Sequence, residues 1–213
     1  MKKLGKIILI FAVLFYVNST VAQDKDNQWQ FSFGTNAVDF HPVGTDNSDN
    51  ATGHLFSEYF NIQENWNTQT AINTLSISRF GTESFSYGLR GSLNTVTRMG
   101  DDRARITGKR IASLDAVVAY NLPEFFSICN MDPFFEAGTG FTWFGNQRSV
   151  TANAGMGVNF PVSKKVSIKV NSSYKHAFND MQDLRPHFQH NVGIAINFGG
   201  KDSDKDGIYD QYD

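Results

Sequence analysis

The chain has 213 residues, 40% of them hydrophobic, with 3 Trp, 7 Tyr and 19 Phe, yet its mean hydropathy is only −0.33. So many aromatics exclude a disordered chain, and past the N-terminus no stretch reaches the ~18 apolar residues of a membrane helix. The formal charge is −2, with no basic face for nucleic acid, and the single Cys129 excludes both an internal disulfide and a zinc knuckle.

Residues 1–22 read as a cleavable export signal. Lys2, Lys3 and Lys6 precede an apolar core at 7–17, and Thr20-Val21-Ala22 offers small residues before a cleavage point ahead of Gln23. That core spans only about half of a ~30 Å hydrocarbon layer at ~1.5 Å per residue, which favours cleavage over a retained anchor. Removing the leader leaves 16 basic against 21 acidic side chains, a net charge of −5.

The signal from there to Gly200 is period two, the period of a strand. Trp29, Phe31 and Phe33 alternate with polar or small residues; so do Phe85, Tyr87, Leu89 and Leu93, and then Leu114, Ala116, Val118 and Tyr120. The same holds for Phe135, Ala137, Phe141 and Trp143, for Ala154, Met156, Val158 and Phe160, for Val166, Ile168, Val170 and Tyr174, and for Val192, Ile194, Ile196 and Phe198. An eighth strand near 70–80 is weaker. Leu75 and Ile77 share a face but Ile72 has the opposite parity, which points to a bulge or a shifted register. Connections fall at about 41–69, 81–84, 97–110, 122–132, 145–149, 161–165 and 176–187.

Each strand has one face of large apolar groups and one of Gly, Ser, Asn and Thr. Eight strands enclose an interior only just wide enough for side chains. Seven sets of Phe, Trp, Leu and Ile would overfill it, so the apolar face belongs outside, against lipid. This is the alternation of a transmembrane β-barrel, and closure pairs every backbone group as lipid demands. The expected fold is all-β, an eight-stranded antiparallel outer-membrane barrel over residues 23–200. The loops 41–69, 97–110, 145–149 and 176–187 then lie outside, with both termini in the periplasm. Trp29, Phe85, Tyr120, Trp143, Phe160, Tyr174 and Phe198 suit interfacial girdles.

Residues 191–198 (NVGIAINF) match polar-x-Gly-x-x-apolar-x-aromatic throughout and so resemble the C-terminal signal by which outer-membrane barrels are recognised by the insertion machinery. Residues 201–213 (KDSDKDGIYDQYD) form a third unit. Asp202, Asp204, Asp206, Asp210 and Asp213 alternate so that a tight loop aims carboxylates inward, Gly207 permits the turn, and Ile208 offers its backbone carbonyl. These residues are the expected calcium ligands; the alternative is an acidic, solvated linker. The pattern DxDxDGxxDxxD resembles a thrombospondin type 3 repeat that stops at its last ligand position.

The chain as a whole resembles the N-terminal barrel of OmpA-family outer membrane proteins, in the branch with an Asp-rich linker. The motifs are 94–97 (NTVT), 132–138 (DPFFEAG), 153–159 (NAGMGVN) and 188–193 (FQHNVG), followed by 197–202 (NFGGKD) leading into the repeat. The resemblance implies a peptidoglycan-binding domain beyond the linker, which is not in this chain.

Arg90, Asp115, Glu136, Lys169 and Lys175 point inward in this register, with Arg90–Asp115 and Glu136–Lys169 as expected pairs; unpaired buried charge costs several kcal/mol. Arg79 faces lipid near the periplasmic edge. All five histidines map to the outer side, as solvated loop residues or, through His187-x-x-His190, as a metal or haem site. No H-E-x-x-H, G-x-S-x-G or phosphate-cradling glycine loop occurs. The expected role is therefore non-enzymatic: a membrane anchor linking envelope layers, its outer loops (40–67 above all) available for adhesion. The alternatives are a small porin-like pore gated by lumen ion pairs, or an outer-membrane enzyme.

Overall fold

The computed structural model describes residues 27–41, 56, 58–82, 84–99, 104–122, 131–163, 165–178 and 184–200. Residues 1–22, read from the sequence as an export leader, and the Asp-rich segment, with Asp202, Asp204, Asp206, Ile208, Asp210 and Asp213, lie outside the described residues.

The strands are β1 (Trp29–Asp39), β2 (Asn67–Thr68), β3 (Thr74–Thr82), β4 (Phe85–Met99), β5 (Ala104–Asn121), β6 (Asp132–Phe144), β7 (Gln147–Pro161), β8 (Val166–Ala177) and β9 (His187–Phe198). Each pairs antiparallel with its neighbour, and β1 closes on β9 from Trp29↔Phe198 to Asp39↔Phe188. β2 and β3 are two pieces of one stave, so the barrel has eight. No helix occurs among the described residues.

The broken stave explains the weak eighth strand. Gly34 pairs with Thr74 but Ala37 pairs with Thr68, so β2 and β3 spend six residues where β1 spends three. Ile72, 67% exposed, sits in the looped-out piece, and its parity says nothing about either face. The sequence boundary at 70 is corrected to Thr74. The expected loop at 97–110 is corrected too. Polar Thr95, Thr97, Lys109 and Arg110 masked a continuation of β4 and β5, which pair out to Met99↔Ala104.

The faces fall as the overfilling argument requires. Leu93 (63%), Met156 (62%) and Phe135 (53%) stand on the outside, whereas Ser92, Asn94, Ser113, Glu136, Asn171 and Ser173 are buried within. Trp29, Phe85, Tyr120 and Phe198 ring the end where β1 begins and β9 ends, called here the terminal end. Arg79 faces outward there, its guanidinium carbon 5.5 Å from the Trp29 ring centroid, so its charge reaches past the apolar belt as a snorkelling side chain does. The opposite end carries the connections between β1 and β2, β4 and β5, β6 and β7, and β8 and β9; it is called the loop end.

Candidate functional site

Two seals close the lumen. At mid-barrel Arg90 donates two hydrogen bonds to Glu136, at 2.8 and 2.6 Å. Ser173 and Asn171 also donate to Glu136 Oε1. Lys175 Nζ meets both Asp115 oxygens at 2.9 and 2.8 Å. All five predicted inward charges do face the lumen, but the pairing is corrected. Arg90 and Asp115 are register neighbours, yet Arg90 reaches across to Glu136 while Asp115 takes Lys175. Lys169 donates to Gln30 at 3.0 Å and lies over the Phe134 ring. Spaces beside these groups hold about 10, 20 and 30 Å³, room for a water or two each.

At the loop end the lumen is capped by an apolar cluster of Val38, Phe40, Val96, Ile111, Phe144 and Leu184. Val38, Val96, Ile111 and Phe144 point inward from their strands; Phe40 and Leu184 are brought in by the connections. The Phe40 ring lies 5.7 Å from Phe144 and 4.9 Å from His187. Sequence reasoning missed this cap, because Val38, Val96 and Phe144 sit at polar-face parity and only the three-dimensional register brings them together.

The histidines also need correcting. His187 and His190 are strand residues, 1% and 7% exposed, rather than solvated ones. Three residues apart on one strand, they point to opposite faces, so the alternative of a metal or haem pair does not converge. Among the described residues no group of three or more His, Cys, Asp or Glu could hold a metal ion.

His190 faces outward and is covered by the segment 58–66. Trp66 stacks on it at 4.1 Å and 12°, and Tyr59 meets it edge-on at 5.0 Å. Tyr59 also packs on Phe188 at 5.1 Å, and its carbonyl accepts from Trp66 Nε1. Ser172, opposite His190 in the β8–β9 register, shares a 2.9 Å hydrogen bond with His190 Nδ1. The Tyr59 hydroxyl bonds Ser172 Oγ from the other side. Burial holds the Tyr59 phenol above its ordinary pKa, outweighing the Ser172 hydrogen bond, so it stays protonated and able to donate. Between this flap and β7–β8 runs an apolar cleft of about 1200 Å³, lined by Phe56, Tyr59, Phe60, Met156, Tyr174 and Phe188, among others, with Ser172 at its floor.

A closed antiparallel barrel with a polar lumen and an exposed apolar belt is an outer-membrane β-barrel fold. The chain matches no family model and no curated protein. Among solved structures it is similar to the outer membrane protein OprG from Pseudomonas aeruginosa, with a TM-score of 0.54 at 9% identity over 84% of this chain and 99% of that one. It is similar to the outer membrane protein AlkL in lipid bilayers, with a TM-score of 0.50 at 11% identity over 88% and 97%. The N-terminal barrel domain of Pseudomonas aeruginosa OprF gives 0.47 at 13% identity over 82% and 100%. At these identities the likeness is one of fold.

Proposed function

We propose that this chain is a non-conducting outer-membrane barrel with a structural role, anchoring the envelope layer that its C-terminal segment contacts. The double closure of the lumen carries this reading: buried ion pairs at mid-barrel and an apolar cap at the loop end stand in series. In this reading residues 1–22 direct export, the strand ending at Phe198 engages the insertion machinery, the terminal end faces the periplasm, and lipid contacts the belt. Asp202, Asp204, Asp206, Asp210 and Asp213, with the Ile208 carbonyl, hold calcium, which stiffens the linker toward a peptidoglycan-binding partner domain. Adhesion falls to the connections at the loop end. There the connection over residues 40–67 is the contact surface, while its Tyr59 is turned into the wall.

Planar-bilayer recording of the refolded full chain tests the reading; silence is expected, and steady conductance from the unaltered protein overturns it in favour of the pore. Terbium luminescence on the same chain, lost in Asp204→Asn/Asp206→Asn, tests the calcium assignment.

A further inference from the structure

The outward Ser172–His190 pair has no part in holding the lumen shut, and its surroundings are those of a reactive site. Its depth follows from the strand. His190 lies eight residues before Phe198 on β9, which at ~3.3 Å per residue and a tilt of about 40° is roughly 20 Å from the terminal-end girdle, within an apolar band ~25 Å tall. The pair therefore sits at the depth of acyl chains near the loop-end leaflet's headgroups. The cleft beside it is open on its outer side and is continuous with the belt through Met156.

A hydroxyl within 2.9 Å of an imidazole nitrogen is the nucleophile–base arrangement of acyl transfer. His190 is held between Trp66 and Phe188, whose rings lie within 12° and 8° of its plane. Its Nε2 is buried without a hydrogen-bond partner among the described residues, so packing rather than a carboxylate fixes the ring. Tyr59, in contact with Ser172 Oγ, keeps a phenol O–H beside the nucleophile, from which it can turn to the carbonyl oxygen as that atom gains charge.

We infer that this wall is an acyl-ester hydrolase site for membrane lipids, with Ser172 as nucleophile, His190 as base and Tyr59 as oxyanion donor, an activity additional to the structural role and resting on the reading that this face meets lipid. Ser172 Oγ attacks the ester carbonyl as its proton passes to His190 Nδ1. The bond from carbonyl carbon to alkoxy oxygen breaks, and His190 protonates the departing alcohol. Water, deprotonated by His190, then cleaves the acyl-Ser172 ester, releasing the fatty acid and restoring the serine.

The test uses the full chain refolded into vesicles, with a fluorophosphonate probe and two ester sources in parallel: dipalmitoyl phosphatidylcholine and an acylated outer-membrane glycolipid. The expected result is probe on Ser172 by peptide mass spectrometry and fatty acid released from one source, which identifies the headgroup. Ser172→Ala and His190→Gln should each lower release about 10³-fold or more, and Tyr59→Phe about 10²-fold, with the heat-shifted gel band of the folded barrel retained. Met156→Trp, which fills the cleft, should shift release toward shorter chains while Ser172 still labels. A folded barrel whose Ser172 takes no probe and which releases nothing from either source overturns the hydrolase. Unchanged chain preference in Met156→Trp overturns the cleft as its chain site. Loss of the heat-shifted band in the unaltered protein would instead overturn the membrane-barrel reading.

Discussion

Glu136 shows how much the lumen depends on single side chains. It is 7% exposed and accepts from Arg90, Asn171 and Ser173. Glu136→Gln keeps the shape but leaves the buried Arg90 charge without a counter-charge, which costs about 3–5 kcal/mol. Urea unfolding of the detergent-solubilised barrel should show a much lower midpoint. Replacing both partners, Arg90→Met with Glu136→Leu, should recover most of the loss, since buried pairs often do no better than apolar ones of similar volume. A second test lies at Gly140, the register partner of Asp115 on β6. A Cβ there would stand 1.9 Å from Asp115 Oδ1, the atom that Lys175 and Asn153 also hold. Gly140→Ala should therefore eject Asp115 from its pair and destabilise the barrel. Gly91→Ala, whose Cβ would meet nothing within 4 Å, should be neutral in the same melt. That these charges face inward was legible in the sequence, because parity decides it. Who pairs with whom was not, because reach across a lumen outweighs adjacency along it.

The staves were legible where the chain alternates without interruption, as in β6 through β9, since lipid outside and a narrow lumen inside reward the same period. They were illegible where side chains replace the ladder. Across the gap at 69–73, Asn94 Nδ2 donates to the Asn36 carbonyl, to Asn36 Oδ1 and to the Asn67 carbonyl, at 3.1, 2.7 and 2.9 Å. Asn67 in turn donates to the Val38 and Arg98 carbonyls and accepts from the Thr97 and Arg98 amides. Four asparagines, Asn36, Asn67, Asn73 and Asn94, thus sew β1 to β4 where β3 has stopped, and nothing in their spacing announces it. Asn94→Leu leaves the Asn67 carbonyl, the Asn36 carbonyl and Asn36 Oδ1 short of a donor, at about 1–3 kcal/mol for each buried group left unsatisfied. Hydrogen exchange should then quicken at 36–38, 67–68 and 94–98, while 75–79 stays protected by its own two-sided ladder. Equal exchange in both segments would show that the asparagines are not what joins them. The Ser172–His190 pair was hidden for a related reason. Its members are 18 residues apart, and only the β8–β9 register sets them opposite one another.

At the scale of the whole molecule, closure and conduction are separate properties. The barrel closes through backbone pairing of β1 with β9, which no side chain interrupts, whereas the lumen is sealed by side chains alone. Two seals in series mean that opening either one leaves the path blocked. Arg90→Ser/Glu136→Ser replaces the mid-barrel pair with small hydroxyls and admits water there, but Phe40, Phe144 and Leu184 still fill the loop-end mouth, and an apolar constriction resists wetting. Phe40→Ala/Phe144→Ala opens the mouth yet leaves Arg90–Glu136 and Lys175–Asp115 across the middle. Each double variant should remain silent in planar bilayers, while combining the two with Asp115→Ser/Lys175→Ser, which also clears the second mid-barrel pair, should conduct. Current through either double variant would mean that one seal is dispensable. Silence in that combined variant, with its heat-shifted band intact, would place the barrier elsewhere in the polar packing of the wall.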